Sequence, residues 1–137
     1  MTNRPSPDEM RQDLRALAGR EVAAYGSVLT DRFTGRSDVD VAVLTHEPDA
    51  ETNRRHWEHV VGQAPDRYDI RVFELLPLPI QIDIADRHEV VFGDLANVSY
   101  YFYGFRRRWK DQAHRYHQNR FKGYRDKRDA LRRRASP

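Results

Sequence analysis

One apolar run, Val39-Asp40-Val41-Ala42-Val43-Leu44, constrains this chain more than any other feature. It is rich in β-branched valine and free of glycine and proline, so it predicts a strand. Side chains on a strand alternate faces. Asp38 and Asp40 therefore share one side, while Val39 and Val41 turn the other way into the core. Two adjacent carboxylates repel each other and would rather share a proton. A divalent cation removes that conflict, and Mg²⁺ prefers one or two carboxylates completed by water and phosphate oxygens.

Upstream, Glu21–Tyr25 reads as a small strand cut off by Gly26. Glycine lets the backbone turn tightly and approach a ligand closely. Ser27 then opens a short helix, and a helix start after glycine suits a phosphate. A phosphate cradle beside a carboxylate pair is what metal-assisted phosphoryl or nucleotidyl transfer requires. A third carboxylate is expected from a neighbouring strand. Tyr68–Glu74 alternates Ile70 and Val72, which puts Asp69 on one face with Arg71 and Phe73. Asp69 is the candidate to draw the proton from an attacking hydroxyl and to share a metal. Glu74 falls on the wrong face by parity and ranks second. Arg32 and Arg36, in the polar spacer, are candidates for the β- and γ-phosphates, although loop arginines are more often merely solvated.

The remaining elements alternate between helix and strand. Ser6 and Glu9 fit a capping box with Pro7 at the first helical position, and Met10, Leu14 and Leu17 follow at helical spacing. Thr45–Gln63 reads as a helix with Trp57, Val60 and Val61 on one side. The segment 76–86 is ambiguous: Ile80, Ile82 and Ile84 alternate, yet Leu76, Ile80 and Ile84 also fit a helix after Pro79. Glu89–Phe92 is a short strand ended by Gly93. From Asp94, a cap, the residues Val98, Phe102, Phe105, Trp109, Ala113 and Tyr116 draw one helical stripe. The alternation defines an α/β (α+β) class. We expect one domain over 1–122, with its C-terminal helix from about 94, and a basic tail over 123–137.

Charge divides unevenly. Residues 106–137 hold 13 Lys/Arg against 3 Asp, leaving 11 basic and 18 acidic residues in the body before them. Such a block is more often a solvated tail or a dock for an acidic partner than an arm for nucleic acid. The chain has no cysteine, which excludes disulfides and thiolate metal sites. No apolar run approaches the roughly 20 residues of a membrane span. The N-terminal residues lack the apolar core of a secretion signal. The expected location is the cytoplasm, without membrane contact.

Ten residues, Val28 to Ser37, separate Gly26-Ser27 from Asp38-Val39-Asp40. This resembles the G-S-x10-D-x-D signature of the minimal nucleotidyltransferases, in the DNA polymerase β-like superfamily. The likeness covers roughly 21 to 94 and includes Asp69-Ile70-Arg71-Val72. The chain departs at the fourth spacer position, where it has Asp31 and many members have glycine. The resemblance implies a small mixed sheet with helices packed on it, and makes 79–86 a helix. It implies that Gly26 and Ser27 hold the triphosphate of ATP, that Asp38 and Asp40 bind Mg²⁺, and that Asp69 completes the triad. It further implies a HEPN toxin as partner, with AMP moved from ATP to one of its tyrosines. Two rival readings stand beside this: a silent antitoxin acting by contact alone, and a transferase of small molecules. Metal-dependent ATP binding separates the first rival from an enzyme.

Overall fold

The computed structural model describes residues 4–107 and Lys110. Two compact units divide the chain, 1–101 and 102–137. The first holds the sheet. Within the second, residues 102–107 are helical. Trp109, Ala113, Tyr116, the expected boundary at 122/123 and the basic tail lie outside the described residues.

The first helix, α1 (Pro7–Asp13), starts as its sequence dictates. Ser6 Oγ accepts from the Glu9 amide at 3.1 Å, and Glu9 reaches back to the Ser6 amide at 3.4 Å. A 3₁₀ turn, Arg15–Leu17, continues it. Met10, Leu14 and Leu17 are all buried, so the helical spacing reports a real apolar face.

Strands β1 (Glu21–Tyr25), β2 (Val39–Leu44), β3 (Tyr68–Val72) and β4 (Glu89–Phe92) form one sheet in the order β3-β2-β1-β4. β1 pairs antiparallel with β2 and with β4, and β2 pairs parallel with β3. The sheet is therefore mixed. Val22, Ala24, Val39, Val41, Val43 and Ile70 join Met10, Leu14 and Leu17 in one core cluster. On the opposite face the parity gives Ala23 and Ala42, also fully buried. The same face carries Tyr25, Asp40 and Asp69, each partly exposed, and the exposed Arg71.

Helix α2 (Ala50–Val60) is shorter than the expected Thr45–Gln63, because Asp49 caps it by accepting from the Thr52 amide at 2.9 Å. Trp57 closes over the sheet edge and donates its indole N–H to the Ile70 carbonyl at 3.0 Å. Val60 is buried, but Val61 is 44% exposed and so leaves the apolar side assigned to it. β3 ends at Val72, two residues before the expected Glu74, where a 3₁₀ turn over Phe73–Leu75 takes over. That turn breaks strand parity and buries Phe73, which the alternation had put beside Asp69. The ambiguous segment folds as helix α3 (Leu78–Asp86), with a proline in its first turn. Gln81 in this helix donates to the Phe73 carbonyl at 2.8 Å. A further helix starts after Asp94, whose carboxylate accepts from the Asn97 amide at 2.9 Å. Among the described residues no helix is long and apolar enough to cross a membrane.

Candidate active site

The site is built at one end of the sheet by strand register. In the β1–β2 pairing Tyr25 stands opposite Asp40, and in the β2–β3 pairing Asp40 stands opposite Asp69. Residues directly opposite in a sheet share a face. Tyr25, Asp40 and Asp69 thus form one row across three strands.

Asp38 lies just before β2, exposed, two residues from Asp40. Burial pushes the Asp40 carboxyl above its ordinary value, the charges of Asp69 and Asp38 push it the same way, and Arg71 opposes them. The Tyr25 phenol is raised to about 12 by burial, with Asp40 and Asp69 adding to the effect and Arg71 again opposing. The charges of Asp38 and Asp69 thus both act on Asp40, the carboxylate between them in the expected set. Arg71 brings a cation to the row, its Nε donating to Asp69 Oδ1 at 3.1 Å.

Gly26 follows Tyr25 directly and adopts φ +76°, a conformation that L side chains rarely take. A β-carbon there would lie 2.9 Å from Asp40 Oδ2. The Gly26-Ser27 turn is therefore packed against the carboxylate at the centre of the row. Residues Gly26–Leu29 make a single 3₁₀ turn, and Thr30 closes it with its amide on the Ser27 carbonyl at 2.9 Å. Phe33, buried in the core cluster, anchors the spacer, and the Arg67 guanidinium lies 5.6 Å from its ring centroid. The spacer turns at Asp31 without a positive φ, so the glycine common at that position is not needed here.

Not every candidate comes together. The Arg36 side chain is exposed, and its amide bonds to Thr34 Oγ1 at 3.3 Å. Arg32 is likewise exposed. Glu74, the second choice for the third carboxylate, is committed elsewhere. It accepts from the Thr45 and His46 amides at 3.1 and 3.0 Å and from the Tyr101 hydroxyl at 2.7 Å, at the far end of the strands. There it supports His46, which sits at φ +60°. The sequence reading passed over Tyr25. The signal that could have found it was available: it pairs across the turn with Asp40 once β1 and β2 form a hairpin.

Among the described residues, no three His, Asp or Glu side chains converge into a ready-made metal cage. The donor set still fits Mg²⁺, which takes one or two carboxylates and fills its remaining positions with phosphate oxygens and water. Asp38 and Asp40 supply hard oxygens whose mutual repulsion such an ion would relieve.

A mixed sheet carrying an Asp-x-Asp pair at a strand start, with a Gly-Ser turn packed against it, defines the nucleotidyl-transfer class. A model of the nucleotidyltransferase domain family matches residues 7–91. A protein of Methanocaldococcus jannaschii, provisionally assigned as a protein adenylyltransferase, is 36% identical over 106 residues, covering 77% of this chain and 82% of that one. The chain belongs to the nucleotidyltransferase domain family. A solved structure of the tri-AMPylated HEPN toxin of Shewanella oneidensis in complex with its MNT antitoxin also aligns. It does so at 14% identity and a TM-score of 0.41, over 78% of this chain and 94% of that one, too distant a likeness to bear on partner or site.

Proposed function

We propose that this nucleotidyltransferase moves AMP from ATP to a tyrosine hydroxyl of a partner protein, and that the partner is a HEPN toxin which the transfer neutralises. The observation that carries the reading is the register row: Asp40 between the Gly26 turn and Asp69, with Asp38 two residues away. The Methanocaldococcus relative supports a protein as acceptor. Tyrosine and the HEPN toxin rest on the resemblance to the minimal nucleotidyltransferases.

In this reading Gly26 and Ser27 hold the triphosphate and Arg36 turns in from the spacer to its distal phosphates. Asp38 and Asp40, with Asp69, hold Mg²⁺. When bound, the ion neutralises the phosphate oxygens and favours departure of pyrophosphate. Asp69 accepts the proton of the attacking phenol. The phenolic oxygen forms a bond to the α-phosphorus, and the bond from that phosphorus to the bridging oxygen of pyrophosphate breaks.

The test is incubation with α-labelled ATP, Mg²⁺ and the product of the neighbouring gene. Label on a tyrosine of that product, lost in Asp38→Ala, is the expected result. Transfer that persists in Asp38→Ala, or no transfer at all, sinks the reading. Calorimetry separates it from a silent antitoxin, which would not bind ATP in a metal-dependent way.

A further inference from the structure

Tyr25 is a side chain of the carboxylate row that the transfer chemistry does not yet use. It stands opposite Asp40, so its β-carbon lies on the same face at the roughly 4.5–5.5 Å spacing of an antiparallel pair. The charges of Asp40, Asp69 and Arg71 all act on its phenol.

The side chain is half-buried, yet its hydroxyl makes no hydrogen bond with any described residue. The hydroxyl is not a buried unpartnered atom, so it is open to a ligand or to solvent at this surface. A phenol among carboxylates would ordinarily donate to one of them. Tyr25 instead makes no such bond and leaves its hydroxyl available beside Asp40. The group next to it in sequence is the Gly26-Ser27 turn, to which the proposed function assigns the triphosphate.

We propose that the Tyr25 hydroxyl donates a hydrogen bond to a phosphate oxygen of the bound nucleotide, making it a further nucleotide-binding residue of this site. The assignment rests on the proposed function. It also explains the residue type. Packing alone would be served as well by phenylalanine, whereas an anion beside the turn needs the hydroxyl.

Tyr25→Phe is the decisive variant, because it keeps the ring and removes only the donor. Its thermal unfolding should match that of the unmodified protein to within about 0.5 kcal/mol. Calorimetric titration with Mg-ATP should then give affinity weaker by about tenfold or more, the scale of a hydrogen bond to a charged group. The loss should be equal for ATP, 2′-deoxy-ATP and GTP, which share the phosphate chain. Equal affinity in variant and unmodified protein overturns the proposal. A loss with ATP but not with 2′-deoxy-ATP moves the partner to the ribose and overturns it too. If the unmodified protein binds no Mg-ATP, the proposed function itself falls, and this role with it.

Discussion

A β-carbon at Gly26 would lie 2.9 Å from Asp40 Oδ2, closer than carbon and oxygen tolerate without one of them moving. The turn and the carboxylate are thus fitted to each other, and the fit exists only because residue 26 has no side chain. Gly26→Ala should displace the Asp40 carboxylate and strain a backbone at φ +76°. The strain should cost roughly 1–2 kcal/mol in denaturant unfolding. Misplacement of a reacting group by about 1 Å is worth on the order of 100-fold in rate. Labelled-AMP transfer should fall by at least that much.

Asp40 is held at a cost to the empty fold. Its pKa is raised by burial and by Asp69 and Asp38, so the folded chain binds a proton more readily than the unfolded one. The sign follows from linkage: stability falls as pH rises from the ordinary carboxylate range through the folded value, and the penalty is complete above it. Asp40→Asn removes the charge. The nucleotide-free variant should melt about 2 °C higher at pH 7, a small gain because solvent screens the repulsion. The gain should fade towards pH 4, and transfer should be lost at every pH. A variant less stable than the unmodified protein at pH 7 would contradict the repulsion.

The two acidic residues of the third strand segment should separate cleanly. Glu74 accepts hydrogen bonds from two amides and a tyrosine hydroxyl, so Glu74→Ala should lower stability by roughly 2–3 kcal/mol, the cost of orphaned donors. Mg-ATP affinity should persist. Asp69→Asn should do the reverse, leaving denaturant unfolding nearly unchanged and cutting transfer by about 100-fold or more, the scale of general-base catalysis. Parallel effects of the two substitutions would refute the assignment of Asp69.

Tyr68 supplies a pH signature remote from the site. Its hydroxyl donates to Asp13 Oδ2 at 2.6 Å, and burial together with that bond raises its pKa. The unfolded chain therefore loses this proton first, at about pH 10. The stability that Tyr68 supplies is complete below that pH and is lost as pH climbs through the higher folded value. Tyr68→Phe should be less stable by about 1 kcal/mol at pH 7. Denaturant midpoints at pH 8 to 11 should converge for the two proteins, and a constant gap would exclude this linkage.

The limits of β1, β2 and β4 and the common side of Asp40 and Asp69 could be read from the residues, because alternation and glycine stops are local signals. What could not be read was set by partners distant in sequence. Phe73 continues the alternation of Ile70 and Val72 on paper, but the 3₁₀ turn overrides it. Glu74 looks like a spare carboxylate until the amides of Thr45 and His46 are brought to it from the end of β2. The isoleucines of 80–84 fit two periods, and only the helix puts Gln81 within reach of the Phe73 carbonyl. Tyr25 was overlooked because register, unlike periodicity, belongs to pairs of strands.

The connection from Gly26 to Asp38 begins and ends on strands that are already paired, with Tyr25 opposite Asp40. Its length is therefore not what brings the carboxylates to the turn. Lengthening a loop whose ends are pinned costs only about 0.6 kcal/mol per doubling. Val28 and Phe33 anchor the connection in the core, while Gly35 and Arg36 stand exposed beyond them. The composition of 35–36, and with it the reach of the Arg36 side chain, can therefore change without moving the carboxylates.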